Sequence, residues 1–239
     1  MRLMTWNCRI GGFRRKAGRV APFRPDILAV QEVERLDGDV PLDGELQPTF
    51  RDRVADPAYP KRAVGVFSYT GAALEAVDLA DPMYCFRRYE AELAGLHFNV
   101  CAVWTAPTKP RSASYRQAHE GLRVHADWVQ RRPTVVLGDF NHDASYGDGK
   151  SWRELAGLLE PLGLVSAYHE YFGEAFGREK RKTHFHHGKE GAGFHLDYCF
   201  IPKAWASSLR AVQVGTYANW HDVSDHAPVI VDLDLGAAA

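Results

Sequence analysis

The sequence is poor in several features that would settle its class quickly. Only four of its 239 residues are cysteine, and none stands in a CxxC pair. Cys8, Cys85, Cys101 and Cys199 each lie in an apolar, strand-like run. They read as reduced core residues of a cytosolic protein, not as a disulfide framework. No charge sign predominates: the formal net charge is −1. That excludes the global basic footprint that drives non-specific binding to nucleic acid, so a polyanionic partner must be met by local patches. No apolar run is long enough to span a bilayer, and the N-terminal stretch MRLMTWNCRIGGFRRK has no uninterrupted hydrophobic region of the signal-peptide kind. The expectation is a soluble, cytoplasmic protein. Internal repeats, low-complexity linkers and composition shifts are also missing, so residues 1–239 are expected to form one domain, with a frayed GAAA tail.

What is present is a long series of short apolar runs rich in β-branched and aromatic residues. RLMTWNC, DILAVQEV, RAVGVFSY, YCFRRYEA, LHFNVCAVW, PTVVLGD, HLDYCFI, LRAVQVGTY and APVIVDLDL all read as strands. Two helices carry start signals. Ser114 with Gln117 forms a capping box ahead of a stripe of Tyr115, Ala118, Leu122, Ala126 and Val129. Ser151 with Glu154 forms another, ahead of Leu155, Leu158, Leu159 and Leu162. A shorter helix is expected within residues 11–24. Strands outnumbering interspersed helices predict an α/β or α+β domain with more than one sheet.

The stretch LGDFNHDASYGDGK packs Asp139, Asn141, Asp143 and Asp148 into ten positions. Asp139, Asn141 and Asp143 match the first three oxygen positions of a calcium-binding EF-hand loop, but Ala144 replaces the obligatory glycine and Lys150 the final glutamate. A cation at that last position repels the metal, so the calcium reading fails. Similar residues end or interrupt other strands: Asn7 in TWNC, Glu32 in ILAVQEV, Asp197 in HLDYCFI, and Asp225 and His226 before APVIV. A lone strand-end Asp is usually a turn or cap residue. Glu32 and Asp197 are different, because a carboxylate inside an apolar strand must be paired, protonated or bound to a metal. His226 is a candidate partner for Asp197.

Taken in order, TWN, VQEVE, GDFNHD, HLDYCF and SDHAPV resemble the endonuclease/exonuclease/phosphatase superfamily, which includes AP endonucleases, DNase I-like nucleases, inositol polyphosphate phosphatases and neutral sphingomyelinases. The motifs run from Asn7 to Val229. The resemblance implies a four-layer α/β sandwich, with two mixed β-sheets face to face and helices outside. It also implies Mg²⁺- or Mn²⁺-dependent hydrolysis of a phosphoester. On this resemblance Glu32 is a direct metal ligand, Asn7 ligates through its amide oxygen or orients a water held by the cation, and Asp225 is the third member. Asp139 activates the attacking water and Asn141 helps hold the phosphate. Asp197 fixes the tautomer of His226, whose imidazolium donates to a phosphate oxygen. Asp143 and Asp148 are left to the loop before the Ser151 helix.

The sequence departs from the AP-endonuclease pattern at Arg9, where an acidic or amide residue is usual, and at Trp104, where relatives place Tyr or His. Arg9 can contact phosphate but cannot ligate a metal. Trp104 can stack on a base or sugar, or pack in the core. Basic clusters at Arg14–Arg19 and Arg178–Lys189 could receive a polyanion or be solvated faces. Within the second, His184, His186 and His187 could form a zinc site on one strand face, but phosphate contact by His184 or plain exposure is preferred. The leading expectation is a phosphodiesterase acting on DNA or RNA. The alternatives are a phosphatase or phospholipase-type hydrolase of a small phosphoester, and a non-catalytic binding module. The last has no need of Glu32, Asp139, Asn141, Asp225 and His226 together.

Overall fold

A computed structural model describes residues 1–34, 62–77, 85–105, 112–146 and 149–236, with the side chains of 112–115 excepted. Asp148, the side chain of the Ser114 capping box and that of Tyr115 therefore lie outside the described residues. In chain order the elements are β1 (Arg2–Asn7), α1 (Phe13–Lys16), β2 (Ile27–Glu34), β3 (Arg62–Phe67), β4 (Ala73–Val77), β5 (Phe86–Leu93) and β6 (Leu96–Trp104). There follow α2 (Ser112–Val124), α3 (Ala126–Gln130), β7 (Thr134–Asp139), α4 (Lys150–Leu159), β8 (Leu164–Ser166) and α5 (Ala167–Phe172). The chain closes with β9 (His184–Phe185), β10 (Gly193–Phe194), β11 (Asp197–Pro202), β12 (Leu209–Val214), α6 (Tyr217–Trp220) and β13 (Val229–Leu233).

Two mixed sheets and a small hairpin result. One sheet has the order β12-β13-β1-β2-β3, the other β4-β5-β6-β7-β11-β8, and β9 pairs with β10. The parallel pairs are β1 with β2 and β6 with β7. Each is joined by a crossover, as parallel neighbours require. Alternation along each strand divides its side chains between two faces. Leu3, Ile27, Ala29 and Val231 of the first sheet meet Val100, Ala102, Val135, Leu137, Cys199 and Ile201 of the second in a core between the sheets. Met4, Trp6, Leu28 and Val30 point the other way, under Phe13 and Trp220. Cys101, Val103, Val136 and Phe200 pack beneath α2, α3 and α4. This is a four-layer α/β sandwich. Each fully buried large side chain here contributes about 1.5–3 kcal/mol.

The helix starts differ from the capping boxes expected from sequence. The second long helix is entered through Gly149, left-handed at φ 69°, with no side-chain cap. Ser151 is already inside it, and its Oγ lies 2.9 Å from His142 Nε2. The stripe expected to run unbroken to Val129 is divided at His125 between α2 and α3. Gly121 lets α2 settle on the sheet, since a Cβ there would lie 2.3 Å from the Phe86 ring. The expected helix within residues 11–24 is one turn, Phe13–Lys16, followed by two 3₁₀ turns. Two carboxylate oxygens of Glu34 accept from Phe13 N–H and Arg14 N–H at its start. All four cysteines are buried, and none forms a disulfide. Among the described residues no helix is long and apolar enough to cross a membrane.

Candidate active site

The inward-facing rows that build the inter-sheet core do not stay apolar to their ends. β1 carries Leu3, Thr5 and then Asn7 inward. β7 carries Val135, Leu137 and then Asp139, while β11 runs back from Ile201 and Cys199 to Asp197. Register aligns these ends: Asp139 pairs with Asp197 across β7 and β11, and Trp104 with Asp139 across β6 and β7. A polar patch therefore closes one end of the core. The turn into it depends on Gly138, because a Cβ at that position would sit 1.9 Å from the Val103 carbonyl oxygen.

Asp139 is the centre of the patch and is 1% exposed. Its Oδ2 accepts from Asn7 Nδ2 and Asn141 Nδ2, both at 2.9 Å, and its Oδ1 accepts from Asn141 N–H at 2.8 Å. Asn141 holds a left-handed backbone, φ 46°, and its amide also donates to Thr105 O at 2.6 Å. His226 Nε2 lies 4.0 Å from Asp139 Oδ2, and its Nδ1 lies 2.8 Å from Asp197 Oδ2. Burial pushes the Asp139 carboxyl up to about 7, with the Asp197 charge adding to it and His226 and Asn7 opposing it. Burial by itself lowers His226, but the charges of Asp197 and Asp139 and the Asp197 hydrogen bond outweigh it and raise the imidazole to about 10. The arrangement can hold a proton on His226 while Asp139 gains or loses one near neutrality.

Glu32 stands at the edge of this patch. It sits at φ 57° inside β2, at the irregularity that interrupts the β2–β3 register between Val30 and Val33. A bulge with a non-glycine left-handed residue is strained backbone, and it swings the carboxylate out of the alternation. Its Oε2 accepts from Ile10 N–H and Arg62 Nη1, each at 2.8 Å, and among the described residues Oε1 has only a 3.3 Å contact from Asn7 Nδ2. Two carboxylates, Glu32 and Asp139, thus share one amide nitrogen. Such a hard-oxygen set suits Mg²⁺ or Mn²⁺. Glu32 Oε1 is the oxygen available for it.

Several residues singled out from sequence stand elsewhere or act differently. Asn7 turns its nitrogen toward the carboxylates, and its Oδ1 accepts from Arg9 N–H at 2.9 Å. In this orientation it bridges Asp139 and Glu32 and does not offer the oxygen that direct ligation requires. Asp225 pairs with Arg9, Oδ2 to Nε 3.4 Å, on the half-exposed rim. Trp104 is 3% exposed and belongs to the core between the sheets. It floors the patch from inside, which leaves no face to stack on a base; substrate contact by this indole is corrected to core packing. His184 is half-buried, bridged in register to His226 with ring centroids 4.8 Å apart. Burial lowers it to about 4, helped by the neighbouring His226 charge, so it is a neutral imidazole. The strand expected to present both His184 and His186 ends at Phe185, and His186 begins a 3₁₀ turn. Among the described residues the one trio of ligand atoms within 4.8 Å of one another is Asp139, Asp197 and His226, so the histidine cluster forms no zinc site there. Asp143 is fully buried and structural, accepting from Ser145 N–H and His195 N–H.

Sequence reasoning missed Thr183, Ser224 and Arg62. Thr183 is fully buried, and its Oγ1 accepts from Leu196 N–H at 2.9 Å and Asp197 N–H at 3.0 Å. Its carbonyl accepts from Ala227 N–H at 2.7 Å, so one residue ties the segments bearing Asp197 and His226. Ser224 Oγ donates to Asn7 O and accepts from His226 N–H. Neither has a periodic signal. A single hydroxyl residue in the charged stretch REKRKTHF is all that the sequence shows at Thr183.

The comparisons with known proteins agree with this geometry. The model of the endonuclease/exonuclease/phosphatase family matches residues 4–226, and the chain belongs to that family. It is a phosphoester hydrolase. Among solved structures it is similar to a 3′ phosphatase, NExo, from Neisseria bound to a product DNA hairpin, with 22% identity, TM-score 0.69, and 98% and 99% of the two chains covered. It is also similar to an AP endonuclease from Leishmania major, with 12% identity, TM-score 0.74, and 98% and 88% covered. An AP endonuclease from Archaeoglobus fulgidus gives 15% identity and TM-score 0.69, with 98% and 100% covered. These likenesses establish the shared fold. A search of curated protein sequences gives no match.

Proposed function

We propose that the protein is a divalent-metal-dependent phosphodiesterase acting on nucleic acid, with Asp139 as the group that takes a proton from the attacking water. The observation that carries the reading is the Asp139–His226–Asp197 array, with Asn7 and Asn141 donating to the same Asp139 carboxylate. A buried acceptor tuned near neutrality next to a fixed cation is what hydrolysis of an anionic ester requires. The DNA-processing neighbours named above support nucleic acid as the substrate class.

In this reading Glu32, with Asp225 completing the set, would hold Mg²⁺ or Mn²⁺, which neutralises phosphate charge and supports the developing oxyanion when bound. Asn7 and Asn141 orient Asp139 so that one of its oxygens faces the incoming water. The water oxygen forms a bond to phosphorus, its proton passes to Asp139, and the bond from phosphorus to the leaving alcohol oxygen breaks. His226, protonated and held by Asp197, donates to a phosphate oxygen as charge builds there. His184, its ring 4.8 Å from that of His226, gives a second imidazole beside the same phosphate. Arg9 on the rim contacts a flanking phosphate. The buried thiols suit a reducing, cytoplasmic setting.

The test is turnover of plasmid DNA, bis-p-nitrophenyl phosphate and an inositol polyphosphate with Mg²⁺ or Mn²⁺, by wild type and Asp139→Asn. Plasmid nicking that disappears in the variant is expected. Monoester turnover without nicking would move the assignment to a small-phosphoester phosphatase. Inertness toward all three, with no metal binding, would leave only a binding module.

A further inference from the structure

A cavity of about 320 Å³ lies between the segment Lys180–Lys182 and the turn Val214–Tyr217. Phe185 forms one wall. Successive side chains of a strand point to opposite faces, so Phe185 faces this cavity while His184, one residue earlier, faces His226. The two sites are also joined through the backbone, since Phe185 N–H donates to Asp225 O at 2.7 Å. The partition is therefore a single two-residue strand of the β9–β10 hairpin.

The chemistry of the lining is specific. Phe185 and Tyr217 meet edge to face with centroids 5.1 Å apart and give the cavity an aromatic side. The Tyr217 hydroxyl donates to Gly188 O at 2.9 Å, which fixes that ring against the hairpin turn. The rim is cationic. Arg181 is engaged by Glu174 at 3.4 Å and lies over the Phe172 ring, Lys180 also acts on Glu174 through its charge, and Lys182 adds a third cation to the lining. Aromatic surface under a positively charged lip is the combination that receives a nucleotide, with base against ring and phosphate against ammonium. The volume is at the small end of ligand pockets, which run from about 300 to 1,000 Å³. It suits one nucleotide and excludes a duplex.

We propose that this cavity is a nucleotide subsite, holding one unpaired nucleotide of the strand that is hydrolysed at Asp139. The inference rests on the nucleic-acid reading given above. A strand leaving the active site reaches the cavity by crossing the β9–β10 hairpin. A free nucleotide has the same chemistry and is the other source of a ligand.

Two variants separate the contributions. Ala192→Trp, at the exposed mouth, fills the cavity and leaves every charge in place. Lys180→Ala/Lys182→Ala removes rim charge and leaves the cavity open. Binding of a fluorescein-labelled single-stranded 12-mer and of AMP is measured in EDTA, where nothing is cleaved. Turnover of the 12-mer and of bis-p-nitrophenyl phosphate is measured with Mg²⁺. Both variants are expected to weaken 12-mer binding at least fivefold and to raise KM for the 12-mer far more than KM for the small ester. The double variant is expected to lower the slope of log affinity against log salt by about 1.4. AMP binding lost in Ala192→Trp, with 12-mer binding intact, would assign the cavity to free nucleotide and overturn the strand subsite. Wild-type cleavage of the 12-mer, with both variants binding it normally, would overturn the inference and leave the nuclease reading standing. Turnover of the small ester by a wild type that neither binds nor cleaves the 12-mer would remove both.

Discussion

His226 Nδ1 and Asp197 Oδ2 are 2.8 Å apart at the buried end of the core, although 29 residues separate them along the chain. The contact specifies Nδ1–H as donor to the carboxylate and turns Nε2 toward Asp139. Asp197→Asn keeps the shape and removes the charge. Turnover should fall by about 10²–10⁴-fold, the range for a mis-set acid–base group. In a pH–rate profile the wild type should gain activity as Asp139 ionises near pH 7 and lose it as His226 deprotonates near pH 10. The variant should lose the alkaline end at lower pH, because the charge that raises His226 is gone. A divalent cation beside Glu32 favours the ionised carboxylate and should move the acid limb down. An alkaline limb unchanged in Asp197→Asn would contradict the pairing.

Thr183 bears on the same pair from behind. Thr183→Val leaves two buried N–H groups, of Leu196 and Asp197, without their acceptor. The expected cost is about 1–3 kcal/mol in chemical denaturation. Turnover number should fall while KM holds, and Thr183→Ser should restore both. A valine variant that loses stability but keeps its turnover number and its alkaline limb would make Thr183 purely structural.

Gly138 allows β6 and β7 to approach where the site begins. In Gly138→Ala the new methyl meets the Val103 carbonyl oxygen at 1.9 Å, and backbone cannot rotate away as a side chain can. Destabilisation of about 3 kcal/mol is expected. Melting temperature measures it, and a variant that melts with the wild type would show that the two strands can separate freely here.

Glu179 supplies an acid-sensitive fastening outside the Asp139–His226–Asp197 array. Burial raises its carboxyl, but the His169 hydrogen bond and Gly177 N–H outweigh that and bring it down to about 2. A depressed carboxyl stabilises the fold above its unfolded value and loses that effect as pH falls through the folded one. The wild type should therefore lose about 2 kcal/mol between roughly pH 4.5 and pH 2. Glu179→Gln should be less stable at neutral pH and lack that segment of the curve. Parallel stability–pH curves for the two proteins would remove Glu179 as the source.

Much of the architecture can be read from alternation. Each of the nine runs expected to form strands does so, because inward and outward side chains of β1, β7 and β11 alternate at the spacing of a pleat. Helix starts were less legible. Gly149 enters α4 through a left-handed turn, and no side-chain pattern announces that, whereas Ser151 and Glu154 imitate a capping box from within the helix. Trp104 had two open readings in the sequence, since an indole ends an inward row in the same way whether a ligand or the core lies beyond it.

The sequence by itself determined which residues were polar where their strands demanded apolar ones: Asn7, Glu32, Asp139 and Asp197. Burying such groups is costly without partners, and that cost is a property of the chain's own pattern. Only the tertiary structure decided who the partners are. Asn7 and Asp139 share a hydrogen bond across 132 positions because β1 and β7 lie on facing sheets. Glu32 leaves its row because β2 bulges against β3. Pairing register and sheet-on-sheet packing are long-range choices, made by the whole core at once, and no local stretch of residues encodes them.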